Sequence, residues 1–315
     1  MKKVYTVLGP IHPDELGLTA MHEHIFWGPP GWEYDPHWWF SKTAAYEKAH
    51  KDLSDFRILG GNTFVDLSGL GLGRDLPAYI ELAKSSGLNI VACTGFWAER
   101  GIAPFFLDKD ADYFEQLFLK EIQQGMGDTD VKAGIIKAGN DKTPMSKLED
   151  TIYRAAARTS KKTGIAIATH GILHAREQVD IMIDQEGVDP GRVVISHCDA
   201  GYSIDLDRDK YIAKKGAYVA YDHIGIEEWS PMPYAMNDDK RVELVLEMLN
   251  AGYEDQLLLS CDVNSWSLGW SMAPLPLHNV GHLLRYFVPK LQEAGVGDET
   301  IRHLLVENPR KILPY

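Results

Sequence analysis

Cysteine is scarce in this chain of 315 residues: it has three, Cys93, Cys198 and Cys261. Each lies in an apolar, strand-like run, and three thiols cannot build a disulfide framework, so a reduced, cytoplasmic protein is expected. Positive charge is also short, with 32 Lys and Arg against 45 Asp and Glu and a formal net charge of -13. Nucleic acid and anionic membrane both need a positive face, so neither is an expected partner. No apolar run approaches the ~20 residues that cross a bilayer, and the stretch after Lys2 and Lys3 falls short of a signal-peptide core. Asn-x-Ser/Thr acceptors, linkers, low-complexity tracts and repeats are missing as well. What remains is one domain over residues 1–315, with a small molecule as its partner and a homodimer as its possible assembly.

Short β-branched runs recur along the chain, ahead of His22 and again at 62–67, 89–94, 133–137, 164–170, 192–197, 216–222 and 256–262. Their number, about eight, is what a closed parallel barrel requires. Helix-period stretches lie between them. Asp75-Leu76-Pro77 opens one that Gly87 closes, Thr143-Pro144 opens another that Gly164 closes, and Arg241 to Leu249 forms a third. Strand then helix, repeated, predicts an α/β fold, a single-domain (β/α)8 TIM barrel. A doubly wound open sheet would spread the strand ends in a line, whereas a ring makes them converge. The long insertions, residues 25–41, 95–110, 225–239 and 263–280, all follow strand ends, on the face where barrels build active sites.

Those strand ends carry the chemistry. His22 and His24 point the same way, being two residues apart on a strand, and Glu23 points oppositely as a structural support. His170, His197 and Asp262 each close a later run, adding two imidazoles and a carboxylate suited to zinc, cobalt, manganese or iron. A lone strand histidine is usually structural; four histidines and an aspartate at strand ends are not. By the same alternation Cys198 and Cys261 face the helices. Lys137 also ends a buried strand, where an ammonium is costly and repels cations. It must be neutral or modified there, and reaction with carbon dioxide would make it a bridging carbamate.

The matching stretches run from end to end: Gly17 to His24, Val65-Asp66-Leu67-Ser68 with Gly73-Arg74-Asp75, Ala92 to Trp97, Ala133 to Ala138, Ala168-Thr169-His170, Ile195-Ser196-His197, Asp222-His223-Ile224, Leu258 to Asp262 and Val306-Glu307-Asn308-Pro309. In these the chain resembles the phosphotriesterase family of the amidohydrolase superfamily. The resemblance implies two divalent metal ions, zinc by preference. His22, His24 and Asp262 would hold the buried one, His170 and His197 the exposed one, and N6-carboxylysine at Lys137 would bridge them with a hydroxide. That hydroxide would attack the substrate, Asp262 taking its proton and His223 acting as shuttle. One departure stands out. The aspartate that relays protons onward in the family is Ala200 here, and Asp199 beside it is expected to point elsewhere.

The substrate should meet the loops, where the eight tryptophans concentrate. Trp97, Trp266 and Trp229 are candidate pocket residues, as is Arg74; Arg100, Arg285 and Lys240 are further cations that could bind an anionic group. The family resemblance makes a lactone or related carboxylic ester the expected substrate. A phosphotriester is the alternative, and a catalytically silent metal-binding barrel a more distant one, since such a protein would have lost ligands that this chain keeps. A mononuclear deaminase would need a glutamate near the third histidine, which the sequence lacks.

Overall fold

Eight parallel strands each pair with the next in chain order, and the first meets the last. The computed structural model describes residues 2–36, 41–227, 235–268 and 279–315. A short antiparallel hairpin, β1 (Val4–Thr6) and β2 (Gly9–Ile11), precedes the ring. The ring strands are β3 (Leu18–Trp27), β4 (Gly61–Asp66), β5 (Asn89–Phe96), β6 (Ile135–Gly139), β7 (Ile167–His170), β8 (Val193–Ile195), β9 (Tyr218–Tyr221) and β10 (Leu257–Leu259). Closure comes from the segment after β10. Asp262 N–H donates to His22 O at 3.0 Å and His24 N–H to Val263 O at 2.8 Å. The result is the expected (β/α)8 barrel.

A further strand, β11 (Asn264–Ser267), continues along β3, with Asn264 opposite His24 and Trp266 opposite Phe26. The sequence reading placed this segment in an insertion, because Asn-Ser-Trp-Ser carries no β-branched signal. It pairs because β3 runs ten residues, to Trp27, and offers a free edge above the ring.

Helices cover the outside. Among them are α1 (Lys42–Ile58), α2 (Leu76–Ser86), α3 (Ala111–Gln123) and α4 (Lys147–Thr163). Helix α2 keeps the expected Asp75 N-cap and left-handed Gly87 at its end. Helix α4 starts later than Thr143-Pro144, because Ser146 and Glu149 form a capping box that fixes its first turn at Lys147. The helix Asp238–Asn250 starts earlier than Arg241, Asn237 supplying its cap.

Two apolar layers result. The outer one joins strands to helices and includes Phe64, Phe114, Tyr153, Cys198 and Cys261. The inner one fills the barrel floor with Met21, Val65, Val91, Ile135, Ala168, Val194, Ala220 and Leu258. Each Val, Ile, Leu or Met side chain buried there contributes roughly 1.5–3 kcal/mol. Polar groups take over one step above.

Candidate metal centre

Alternation lifts the site off that floor. Ile135, Ala168 and Ala220 face the barrel interior, and two residues further on come Lys137, His170 and Asp222. On β3 the register shifts between Ala20 and Glu23, so Met21 joins the floor while His22 belongs to the layer above. A bulge re-aims a side chain in this way. His197 and Asp262 reach the site differently, each adopting a left-handed backbone, φ 63° and 50°. Such strain in non-glycine residues persists only where the surroundings enforce it.

The six expected ligand residues converge. His22, His197 and Asp262 offer ligand atoms all within 4.8 Å of one another. His24 Nε2 lies 3.1 Å and His22 Nε2 3.6 Å from Asp262 Oδ1. Lys137 Nζ is 2.9 Å from His22 Nε2, and His170 Nδ1 is 2.8 Å from His197 Nε2. Two glycines permit this crowding. A Cβ on Gly139 would fall 1.7 Å from Trp97 O and one on Gly95 2.0 Å from Lys137 O.

Three of the imidazoles have their second nitrogen fixed by a buried oxygen. Asp222 takes His22 Nδ1 at 2.6 Å and His197 Nδ1 at 2.9 Å, and Ser68 Oγ takes His24 Nδ1 at 2.8 Å. Outer partners of this kind set tautomer and ring orientation at metal sites. Asp222 is no candidate by sequence alone, although it ends a strand run as the ligands do, and that position is its signal. Glu23 points away from the centre. It accepts from Ser260 Oγ at 2.7 Å and from the Cys261 and Val263 N–H groups at 2.9 Å, which holds the segment bearing Asp262.

Protonation suits cations. Burial, with Lys137 adding to it, pulls His22 down to about 3, and burial and His197 hold His170 well below the ordinary imidazole range. Burial works against the Asp262 carboxylate, yet His22, His223 and His24 hold its pKa well below the usual value. Burial lowers Lys137 to about 8. It is fully buried, and among the described residues its hydrogen-bond partner is a histidine rather than a carboxylate. Neutral imidazoles and a charged carboxylate are the forms in which these groups bind metals, and burial makes the Lys137 amine easier to deprotonate than an exposed lysine.

His223 stacks on His197, ring centroids 4.5 Å apart, with Nε2 3.5 Å from Asp262 Oδ2. Burial depresses its pKa, but Asp262, Asp199 and Asp222 outweigh that and raise it. The expectation for Asp199 is corrected. Its carboxylate accepts from the Asp222 and His223 N–H groups and lies 4.0 Å from His223 Nδ1. Strand alternation stops at the left-handed His197, so it does not apply two residues later. Asp199 also accepts from Arg241 Nε at 2.9 Å, and Arg241 donates to Asp238, which binds His282. Arg241 is fully buried.

The pocket candidates separate. Trp97 packs edge-on against His170, centroids 5.2 Å apart, and against Trp27 at 5.7 Å. Trp266 is half-buried on β11 and packs onto the outer apolar layer. Trp229 lies outside the described residues. Arg74 is not at the centre: its guanidinium clasps Glu121 at 2.7 and 2.9 Å and donates to Cys93 O at 2.8 Å. A buried carboxylate on α3 outcompetes any ligand there.

Known proteins match this arrangement. The Phosphotriesterase family model covers residues 2–313. A phosphotriesterase homology protein of Mycobacterium tuberculosis is 32% identical over 99% of this chain and 98% of its own. An aryldialkylphosphatase of Saccharolobus solfataricus is 29% identical over 96% of both chains, and an N-acetyltaurine hydrolase of Salmo salar 26% over 99% and 98%. Among solved structures, a mutant Deinococcus radiodurans PTE-like lactonase superposes with a TM-score of 0.90 at 27% identity, over 98% of this chain and 99% of that one. With a family match along nearly the whole chain and a barrel of the same shape, this protein belongs to the phosphotriesterase family.

Proposed function

We propose that the chain is a binuclear metal-dependent hydrolase, one barrel domain, that cleaves a lactone or related carboxylic ester. The observation that carries this is the convergence of His22, His24, Lys137, His170, His197 and Asp262, with Asp222 and Ser68 fixing the second nitrogens of three rings. His22, His24 and Asp262 would hold one cation, His170 and His197 the other. Lys137 would bridge them after its neutral amine adds to carbon dioxide, losing a proton to give a carbamate. When bound, two divalent cations make water nucleophilic near neutral pH and polarise the substrate carbonyl, and zinc suits the mixed nitrogen and oxygen donors.

The rest falls to the protein. Asp262, held ionised, takes the proton of the attacking water at Oδ2, which faces His223 Nε2 at 3.5 Å. His223 carries that proton toward solvent, its backbone N–H held by Asp199. Trp97 forms a wall of the substrate's path beside His170.

A panel of lactones and carboxylic esters tested beside phosphotriesters, with metal content measured on the same sample, decides the reading. Lactones or esters turning over fastest, with about two metals per chain, support it. Phosphotriesters faster by orders of magnitude favour the second reading, to which the Trp97 wall and the aryldialkylphosphatase relative lend weight.

A further inference from the structure

We propose that Arg100 and the face of Trp97 form a subsite at the rim of the metal centre that binds an anionic group of the substrate. The ester cleaved would then carry a carboxylate or similar acid remote from the scissile bond. This rests on the hydrolase reading above and adds the substrate's charge to it.

Four cations could meet an anion, and the structure separates them. Arg74 turns to the buried Glu121 on α3, Arg285 sits in the helical segment Leu283–Phe287 against Asp55 of α1, and Lys240 is exposed in the first turn of the helix Asp238–Asn250. Arg100 alone among these lies on a wall of the centre. Its Cζ stands 4.3 Å from the centroid of the Trp97 ring, and that indole meets the His170 ring in an edge contact at 5.2 Å. The guanidinium is therefore one indole away from a ligand residue. Its Nε is 2.6 Å from Asp141 Oδ2, and among the described residues Asp141 and Trp97 are its partners.

A guanidinium carries five N–H donors in a planar fork. Asp141 occupies the Nε side, the indole fixes the plane, and the two terminal amino groups remain to form a bidentate pair with an oxyanion. Both neighbours are tied to the site. Trp97 directly follows β5, and Asp141 is four residues beyond Lys137 on the β6 chain. The Arg100 side chain is 56% exposed, so a ligand can reach it.

The test compares metal-loaded wild-type and Arg100→Gln proteins on para-nitrophenyl acetate, which is neutral, and the para-nitrophenyl half-ester of glutaric acid, which carries a distal carboxylate. Gln should lower kcat/KM on the half-ester by about 10- to 100-fold, mainly through KM, and leave the acetate unchanged. Equal effects on both esters, or on neither, overturn the subsite and leave the hydrolase reading intact. If the wild type cleaves no ester or lactone, the hydrolase reading fails, and binding still decides the subsite. Glutarate titrated into the metal-free protein, followed by tryptophan fluorescence, should bind more weakly to Arg100→Gln; equal affinity overturns the proposal.

Discussion

The floor and the mouth of the barrel are built by the same strands, two residues apart, and they behave as different materials. Ile135 and Lys137, Ala168 and His170, Ala220 and Asp222 are neighbours along one face of one strand each. Below, apolar side chains fill the ring; above, polar groups are held by hydrogen bonds to other buried groups. The strand geometry is common to both layers, so the difference lies in side-chain chemistry. A change in the mouth should alter chemistry with modest effect on stability, and a change in the floor should do the reverse.

The sharpest break is Asp262→Asn, which removes the proton acceptor and should cut kcat by at least ~10²–10⁴-fold while the melting temperature of the metal-loaded protein falls little. Unchanged turnover would remove Asp262 from that role. Of comparable size, Lys137→Ala should lose most of its activity and recover part of it with short carboxylates such as formate or acetate. Activity that added carboxylate leaves unmoved argues against a bridging carbamate. Asp222→Asn should weaken metal binding or activity by ~10- to 100-fold, since both His22 and His197 lose their anchor; metal titration by calorimetry reads it. In the floor, Leu258→Ala should cost ~2–5 kcal/mol on denaturant unfolding with kcat per folded molecule preserved. An equal loss of kcat would erase the distinction between the layers. Metal removal should abolish turnover, while its effect on stability is the smaller one, about 2.7 kcal/mol per site relative to each metal at a hundred times its Kd.

Much of this was legible because strands repeat every two residues. Each ligand position could be read as the end of an apolar run, and Glu23 could be turned away from the centre by counting. The count failed where the backbone leaves strand geometry. His197 at φ 63° reset the alternation, so the direction of Asp199 was misread. β11 was missed because its pairing comes from the length of β3 and not from its own composition. Arg74 and Arg100 looked alike as loop arginines; their partners, Glu121 on α3 and the Trp97 ring, come together only in three dimensions.

The hydrogen bond from Val263 N–H to the Glu23 carboxylate joins positions 240 residues apart. With the contacts between Asp262 and His22, it forms the seam where the first ring strand meets the last. Long-range contacts of this kind carry the largest loop-closure entropy and dominate slow folding steps. The ligand set that holds His22, His24 and Asp262 together is therefore complete only once the two ends of the ring have met. Metal uptake during refolding would serve as a clock for that event, lagging behind helix formation and coinciding with the gain of native stability.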